Sequence, residues 1–390
     1  MEYVKLGDLI SLVIDYRGKT PLKLKGEWAS EGYRALSALN VKTGGLVAED
    51  KIRFVNEDLY HKWMKQEVNR GDILITSEAP FGQVLQWNSD EKIVLSQRLF
   101  AIRIKTDVDN RYVYYYMTSQ PFQGELKARA TGSTVEGLRQ PALMKCRLSL
   151  PELPLQHRIA SILSTYDTLI ENNTKRIRLL EKMAENLYKE WFVRFRFPGH
   201  ENVEMENGLP KGWKRGSLSD VCEFKRGKNI TSSEMQEGNV PVISAGLEPS
   251  GYHSCSNVRG VNVTMSSSGA NAGYIAIHYS DIWAADCSYI EESTTGNIYY
   301  VYELLNNIRT VINNFQRGAA QPHVYPKDVN RIKLILPSKE LMLIANGRLE
   351  IMHKEIYNLQ KQNSLLARQR DLLLPRLMSG KLEVKEELLE

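Results

Sequence analysis

The sequence repeats itself at a constant offset of 186 positions. Gly132 falls on Gly318 and Pro151 falls on Pro337, and no gap is needed between the two matches. In both copies an apolar run leads into the proline. Because internal repetition sets architecture before any single residue does, the sequence predicts two copies of one structural unit related by a pseudo-two-fold axis.

Weaker matches between the two halves lie in front of these repeats and require gaps. Residues 6–9 resemble residues 218–221, and residues 17–19 resemble residues 226–228. The late part of each copy therefore keeps its register, while the early part has drifted. This contrast predicts a shared helical scaffold that carries two different binding domains.

Composition excludes several classes of protein. The 390 residues include four widely spaced cysteines without a C-x-x-C pair, so neither a disulfide framework nor a zinc knuckle is expected. Residues 1–5 lack the basic end and apolar run of a signal peptide, and no apolar run approaches the ~20 residues of a membrane helix. We therefore expect a cytoplasmic protein with reduced thiols. Its net charge of +5 is compatible with a polyanionic partner.

Strand-like runs, turn residues and helical periodicity divide the chain into segments. Residues 71–76, 93–95 and 99–104 read as strands, and glycine and proline cluster between residues 196 and 215. The sequence therefore predicts an α+β fold. The predicted segments are a β-rich domain over residues 1–150, a central spacer helix over 151–197, a linker over 198–215, a second β-rich domain over 216–337 and a C-terminal spacer helix over 338–382.

Both spacer helices carry apolar residues whose spacing alternates between three and four. This pattern is an a/d seam, which is narrower than the apolar stripe of a helix in a single-domain core. Each seam position in the first helix maps onto one in the second at the same offset. The pattern predicts that the two helices pack as an antiparallel coiled coil. The predicted packing residues are Ile170, Asn173, Ile177, Leu180, Leu187, Ile356, Leu359, Asn363, Leu366 and Leu373.

One asparagine interrupts each seam, and the two are not equivalent in the repeat. Asn173 maps onto Leu359, and Asn363 maps onto Ile177. An antiparallel pair with its pseudo-two-fold axis near residue 175 would place Asn173 opposite Asn363, where polar residues fix the register at a cost in stability. A spacer of ~45–50 Å would then separate the two β-rich domains. Two separately solvated helices with incidental polar residues are the alternative.

Several stretches of the chain resemble the specificity (S) subunit of type I restriction–modification systems. They include residues 156–163 after Pro151, the loop of residues 317–323 and the ending of residues 374–382, in this order and with the duplication. The resemblance covers essentially the whole chain. The second helix departs from it at residues 342–345, where Met-Leu-Ile-Ala replaces the glutamine-led start of the first helix.

This resemblance implies a DNA-binding protein without catalytic activity of its own. A subunit of this family reads a split target, one half with each β-rich target recognition domain. It recruits methyltransferase (M) subunits, two in the expected complex, largely through its helices, and the complex methylates adenines. Restriction (R) subunits, again two, complete the nuclease. The resemblance places S-adenosylmethionine on the M subunits and ATP and magnesium on the R subunits, so no cofactor or metal is expected on this chain.

Basic and polar loops are the candidate contacts to duplex DNA. Cations beside a glycine suit phosphate oxygens, whereas Arg and Gln make bidentate contacts with guanine and adenine. Ordinary turns with solvated side chains are the alternative for each loop. The candidates are Arg17, Lys19, Ser77, Arg129, Thr131, Ser133, Arg226, Lys228, Ser267, Asn271, Arg317, Gln321 and His323.

Tyrosines cluster in both halves and have two interpretations. Stacked tyrosines can bind single-stranded nucleic acid, but amphipathic rings also fill protein cores. The sequence favours the core. The residues are Tyr112, Tyr114, Tyr115, Tyr116, Tyr299, Tyr300 and Tyr302.

Enzyme motifs are poorly represented. The sequence contains no G-x-x-x-x-G-K-[ST], H-E-x-x-H or G-x-S-x-G. Residues 90–92, downstream of Asp72, form an acid-x-Lys run of the kind that holds magnesium in nucleases, but the second half has no matching lysine. The sequence therefore predicts a non-catalytic protein. A helical scaffold with two ligand-binding β domains and no role on DNA is the runner-up.

Overall fold

The computed structural model describes residues 2–132, 136–318 and 321–384. Contacts within the chain divide it into two compact units. The first unit is Met1–Glu171 with Ser364–Glu390, and the second unit is Asn172–Asn363. Each unit therefore combines one β-rich domain with part of each long helix. A helix long and apolar enough to cross a membrane is absent from the residues that the structure describes.

The β structure of the first unit consists of short strands in several small sheets. Strands β2, β10, β7 and β8 form a four-stranded antiparallel sheet in that order. A mixed sheet has the order β6-β3-β9, and β1-β11 and β4-β5 are antiparallel pairs. The strands are β1 (Glu2–Lys5), β2 (Ile10–Asp15), β3 (Tyr33–Leu36), β4 (Val41–Lys42), β5 (Gly45–Leu46), β6 (Arg53–Val55), β7 (Ile73–Thr76), β8 (Val84–Gln86), β9 (Ile93–Leu95), β10 (Leu99–Ile104) and β11 (Arg147–Leu150).

The three runs that read as strands in the sequence are confirmed as strands. Residues 71–76 contain β7, and the other two runs coincide with β9 and β10. Strand β7 is buried along its whole length, because it lies inside the sheet and both of its faces are covered. Its continuous apolar sequence is the pattern that such a strand requires.

The second unit repeats this arrangement with its own strands. Strands β15, β21, β18 and β19 form the four-stranded antiparallel sheet, the mixed sheet is β17-β16-β20, and β14-β22 and β12-β13 are pairs. The segment predicted as a linker, residues 198–215, contains β12, β13 and the start of β14. The strands are β12 (Met205–Glu206), β13 (Leu209–Pro210), β14 (Lys214–Ser217), β15 (Lys225–Arg226), β16 (Val240–Ile243), β17 (Gly251–His253), β18 (Asn262–Ser266), β19 (Ile275–His278), β20 (Trp283–Ala284), β21 (Cys287–Glu291) and β22 (Lys333–Leu336).

The repeat extends through the β-rich domains even where their sequences have drifted. Lys5 of β1 pairs with Arg147 of β11, and Ser217 of β14 pairs with Lys333 of β22 at the same offset of 186 from Arg147. The mixed sheets also agree, because β3 pairs in parallel with β9 as β16 does with β20. The two units are therefore copies of one fold.

Two long helices and several short ones complete the chain. The long helices lie within the predicted spacer segments, and the first is followed by one turn of π-helix, Lys189–Val193. The helices are α1 (Leu6–Leu9), α2 (Glu57–Trp63), α3 (Asn110–Thr118), α4 (Gln120–Ala128), α5 (Gln140–Met144), α6 (Leu153–Tyr188), α7 (Glu292–Thr295), α8 (Ile298–Asn307), α9 (Arg309–Asn313), α10 (Pro326–Val329) and α11 (Lys339–Met378).

The predicted seam is the inward face of α6 and α11. All ten predicted packing residues are buried or half-buried, whereas Leu169, Leu179, Leu365 and Leu372 on the same helices are exposed. Burial therefore follows the a/d spacing and not apolar character alone.

Contacts between α6 and α11 inside each unit show an antiparallel pair. In the second unit, Asn173 Nδ2 donates to Gln362 Oε1 at 3.4 Å, and Arg176 Nη2 donates to Glu355 Oε1 at 2.7 Å. Asn363 Nδ2 donates to Thr174 Oγ1 at 3.3 Å. The two asparagines thus lie at the same level, as predicted, but each bonds to the residue beside the other.

Each β-rich core incorporates helix segments that are distant in sequence. The first core includes Ile159 and Leu163 from the start of α6, together with Leu377 and Met378 from the end of α11. The second core takes the end of α6 and the start of α11 in the same way. The seam and the recognition domains therefore share apolar side chains.

The start of α11 departs from that of α6, and the structure shows how the difference is accommodated. Gln156 Oε1 accepts a hydrogen bond from the backbone N–H of Asp109, 3.0 Å away, just before α3. Met342, at the equivalent position of α11, lies in the second apolar core instead. Asn346, one turn later, accepts from the backbone N–H of Tyr299 at 3.1 Å in the first turn of α8. A side-chain amide thus contacts the start of the next helix in both units.

Candidate nucleic-acid interface

In the first unit, two predicted contacts meet at one end of the strands of the four-stranded sheet. Arg17 and Ser77 line one open depression together with Asp15, Glu78 and Arg98. Ser77 follows β7, Arg98 precedes β10, and β7 and β10 are neighbours in the sheet. We call Asp15, Ser77, Glu78 and Arg98 the first strand-end site.

Arg17 fixes the loop next to this site. Its Nε and Nη2 bond to the Asp15 carboxylate at 2.9 and 2.6 Å, and Nη1 donates to the Leu138 carbonyl at 3.3 Å. The guanidinium also lies over the Phe100 ring, 4.8 Å from its centroid. Only 26% of the side chain is exposed. Arg17 therefore orders the loop and offers a limited surface to a ligand.

The other predicted cations of the first unit are also held by neighbouring groups. Lys19 Nζ donates to the Trp63 carbonyl at 2.5 Å, and burial lowers the pKa of this amine below its ordinary value. Arg129 forms an ion pair with Glu125. Thr131 is exposed, and Ser133 lies outside the described residues.

In the second unit, the predicted residues lie around the matching ends of the sheet strands. Ser267 is buried directly after β18, and its carbonyl accepts from Val324 N–H at 3.0 Å. Asn271 Nδ2 donates to the Ala245 carbonyl at 3.4 Å. Arg317 forms an ion pair with Asp328 at 2.9 Å and keeps 63% of its side chain exposed.

The remaining candidates of the second unit lie around the same strand ends and include two cations. Lys228 and Gln321 are exposed, and Arg226 forms an ion pair of 3.5 Å with Asp286. The other carboxylate oxygen of Asp286 accepts from the Ser268 hydroxyl at 2.5 Å. We call Arg226, Ser267, Ser268 and Asp286 the second strand-end site.

The residues that close the loop in front of each strand-end site pair in the same way in the two units. Thr131 and Gly137 exchange backbone hydrogen bonds of 3.0 and 2.8 Å, and Arg317 and His323 exchange bonds of 2.9 and 2.8 Å at the offset of 186. The next residue in each case, Leu138 or Val324, donates to the serine that follows the central strand. One framework therefore presents different side chains in the two units.

The sheet register revises the match between the basic loops. Asp15 pairs with Phe100, the second residue of β10, and Arg226 pairs with Ser288, the second residue of β21. Asp15 and Arg226 are therefore equivalent, and Arg17 lies two residues beyond the position that resemblance to Arg226 suggested. Sequence reasoning also missed the residues in front of β10 and β21, because strand pairing is needed to align them.

The acidic run that resembled a nuclease site is distributed among ion pairs. Asp72 is buried against Arg103 at 2.8 Å, and Asp90 pairs with Arg70 at 2.7 Å. Lys92 pairs with Glu67 at 3.0 Å. Among the described residues, no group of three or more His, Cys, Asp or Glu side chains is placed to hold a metal ion.

The tyrosine clusters belong to the cores of the two units. The six from Tyr112 to Tyr300 are buried on α3 and α8, and Tyr302 is half-buried against the second core. Burial raises the pKa of Tyr112 because it disfavours the charged phenolate. The prediction that these rings are core is confirmed.

Comparison with known proteins adds an independent line of argument. The profile of the family described as "Type I restriction modification DNA specificity domain" matches residues 1–182 and 210–362. The MjaIX specificity subunit of Methanocaldococcus jannaschii is 27% identical, over 81% of this chain and 79% of that protein. The HindI specificity subunit of Haemophilus influenzae is 20% identical, over 82% and 88%.

A solved structure supports the fold. The S subunit of a type I restriction–modification system from M. genitalium aligns with a TM-score of 0.60 and 19% sequence identity, over 96% of this chain and 95% of that one. At this identity the likeness concerns the fold alone. It agrees with the predicted α+β architecture of two β-rich domains and long helices.

Proposed function

This chain belongs to the type I restriction modification DNA specificity family, and we propose that its two strand-end sites are where the two halves of a split DNA target are read. Sequence-specific DNA recognition is the function of the chain within its restriction–modification system. The observation that carries the assignment to these sites is the shared loop framework, which presents different side chains in each unit.

The chemistry of these loops suits a DNA duplex. Arg317 and Lys228 have exposed cationic side chains that can neutralise phosphates, while side chains at the strand ends can reach base edges. Arg17 and Lys19 are tied to neighbouring groups and support the loop that carries them. Phosphate contacts position the protein, and base contacts give it sequence specificity.

The chain assembles with DNA, methyltransferase subunits and restriction subunits as a member of this family. We propose a complex with two M and two R subunits per chain, which matches the two copies of the fold in this sequence. In that complex S-adenosylmethionine belongs to the M subunits, and ATP and magnesium belong to the R subunits. The non-DNA scaffold has no support in the comparisons.

Salt dependence of binding tests the strand-end assignment. The chain is assembled with M subunits, and its affinity for a target duplex is measured between about 50 and 200 mM salt. We expect a steep loss of affinity, and Lys228→Gln should reduce the slope of log affinity against log salt by about 1. The matched control is Lys211→Gln, an exposed lysine paired with Glu204 at 3.0 Å. Salt-independent binding, or an equal effect of both variants, would contradict the assignment.

A domain exchange tests the division of labour between the units. Residues 1–150 are replaced by the corresponding segment of another specificity subunit, and the methylated sites are mapped. One half of the target should change while the other half stays the same. A change in both halves would exclude independent reading by two units.

A further inference from the structure

The two strand-end sites carry opposite charges at equivalent positions. The register Leu99 with Thr76 matches the register Cys287 with Ser266, so the residues just before these strands, Arg98 and Asp286, are equivalent. Asp15 and Arg226 are also equivalent by register. A basic residue in one unit thus stands where an acidic residue stands in the other, at both positions.

The residue next to each of these charged side chains also differs between the units, in a way that suits the opposite charge. In the first unit, Glu78 follows Ser77, and its carboxylate lies 3.2 Å from Arg98 Nε. In the second unit, Ser268 follows Ser267, and its hydroxyl donates to the Asp286 carboxylate at 2.5 Å. In each site the charged side chain therefore contacts a polar residue that lies just beyond the neighbouring strand.

Arg98 has an unusual backbone conformation in the turn between β9 and β10, where its carbonyl accepts a hydrogen bond from the Ser77 N–H at 2.8 Å. Its φ is +61°, in the left-handed region that costs a non-glycine residue free energy, and its side chain is 51% exposed. An exposed ion pair contributes little to stability, so the contact with Glu78 does not offset this cost. Residues in such conformations cluster at ligand-binding sites.

We propose that Arg98 and Asp286 select the base that each unit reads at this position, a guanine in the first half-target and a cytosine in the second. The proposal rests on the proposed function and adds residues and bases to it. Arginine makes bidentate contacts with guanine O6 and N7, and aspartate accepts from the amino group of cytosine. An end-on arginine contact uses the two terminal nitrogens, so the ion pair through Nε is compatible with it.

The residues at positions 78 and 268 contact the charged side chain of their site. The Glu78 carboxylate lies 3.2 Å from Arg98 Nε, on the stem side of the guanidinium. The Asp286 carboxylate is held by Ser268 on one oxygen and by Arg226 on the other, and 33% of the side chain is exposed. An ionised carboxylate has further lone pairs and can accept from a base in addition to these two contacts.

Reciprocal grafts test the proposal in the complete complex with M subunits. Asp15→Arg, Glu78→Ser and Arg98→Asp together transfer the charged residues of the second site into the first unit, and Arg226→Asp, Ser268→Glu and Asp286→Arg together do the reverse. Methylated sites are mapped for each complex on DNA of mixed sequence. The first graft should replace guanine by cytosine at one position of one half-target, and the reverse graft should replace cytosine by guanine in the other. Methylation of the original target should fall by roughly 5- to 150-fold.

Two further variants separate folding effects from readout. Arg98→Asn keeps a residue type that tolerates φ above zero, and it should lose the preference for guanine without loss of folded protein. Arg70→Gln breaks a more exposed ion pair with Asp90 in the same unit and should leave the target unchanged.

The outcomes distinguish this proposal from the function on which it rests. If Arg98→Asn methylates the original target with unchanged selectivity, or weakens all sequences equally, the assignment of Arg98 to a base is wrong. In either case a split target read by the wild-type complex still supports the proposed function. A wild-type complex without any split target would overturn both.

Discussion

His353 of α11 lies 3.1 Å from Glu303 of α8, measured from Nε2 to Oε1, and both side chains are buried. The other ring nitrogen, Nδ1, is 2.9 Å from the Tyr279 hydroxyl. A single imidazole therefore joins the long helix to both a helix and a loop of the recognition domain in the second unit. Because both ring nitrogens contact polar groups inside the unit, this side chain is expected to contribute strongly to the stability of the unit.

Removal of this imidazole should destabilise the second unit. His353→Ala leaves the buried Glu303 and the half-buried Tyr279 without this partner, and we expect a loss of about 3 kcal/mol in the free energy of unfolding. Urea denaturation measures the loss, and segment-resolved hydrogen exchange locates it. The control is Lys354→Ala, the next residue, which is exposed and paired with Glu350. Equal effects of the two variants would show that the buried contact is not important.

Leu359 provides a test of the helical seam. It is 1% exposed, and Leu359→Ala should cost about 2–5 kcal/mol because it removes buried methyl groups and leaves a cavity. Leu365→Ala changes the same residue type on the same helix at a position that is 58% exposed, and it should cost less than about 0.5 kcal/mol. Denaturant midpoints of the two variants decide the question, and similar values would contradict the seam.

The side-chain amides of Asn346 and Gln156, which contact the starts of α8 and α3, should contribute similar amounts to stability. Asn346→Ala removes the acceptor for the backbone N–H groups of Tyr299 and Tyr300, and Gln156→Ala removes the acceptor for that of Asp109. Each variant should lose about 1–2 kcal/mol of stability. Hydrogen exchange should increase in α8 for the first variant and near α3 for the second. Loss of protection in the opposite unit would contradict this assignment.

Stability of the second unit should depend on pH through His278. Burial lowers the pKa of this imidazole to about 4, and its Nε2 lies 2.8 Å from the Thr264 hydroxyl. The unfolded chain binds a proton near pH 6.5, so the unfolded state gains protons first as pH falls. The stabilising contribution of the neutral ring is complete above about pH 6.5 and is lost between there and about pH 4. It amounts to about 3 kcal/mol.

A variant isolates this effect from the titration of carboxylates. His278→Gln retains a polar partner for Thr264 but does not titrate. The free energy of unfolding of the variant should fall less than that of the wild type between pH 6.5 and pH 4. Parallel pH profiles would show that folding does not shift the pKa of His278.

The helices could be predicted because their signal is local. Seam residues such as Ile356 and Leu366 follow one another at fixed spacings, and burial of that face needs only one partner helix. The level of Asn173 and Asn363 also followed from the pseudo-two-fold relation. Their actual bonds to Gln362 and Thr174 did not, because these depend on side-chain directions that sequence spacing does not determine.

The strand-end sites could be predicted only in part. Ser77 and Ser267 were found because they lie in polar loops next to strand-like runs, but Arg98 and Asp286 were not, since they become neighbours of these serines only through strand pairing. The similar tripeptides at Arg17 and Arg226 also suggested an alignment that is two residues away from the sheet register. Similar residue types thus suggested an alignment that the strand register does not support. The strand register determines which side chains are neighbours.

The distribution of core residues between chain ends has a consequence for synthesis. Leu377 and Met378 pack into the core of the first unit, while the second unit is complete at Asn363. On the ribosome, the unit that begins to emerge first is therefore the last to close its core. A chain that stops before these two residues leaves part of the first core exposed. Exposed apolar surface is what chaperones and proteases recognise, so we expect such chains to be degraded faster than chains that include α11 to its end.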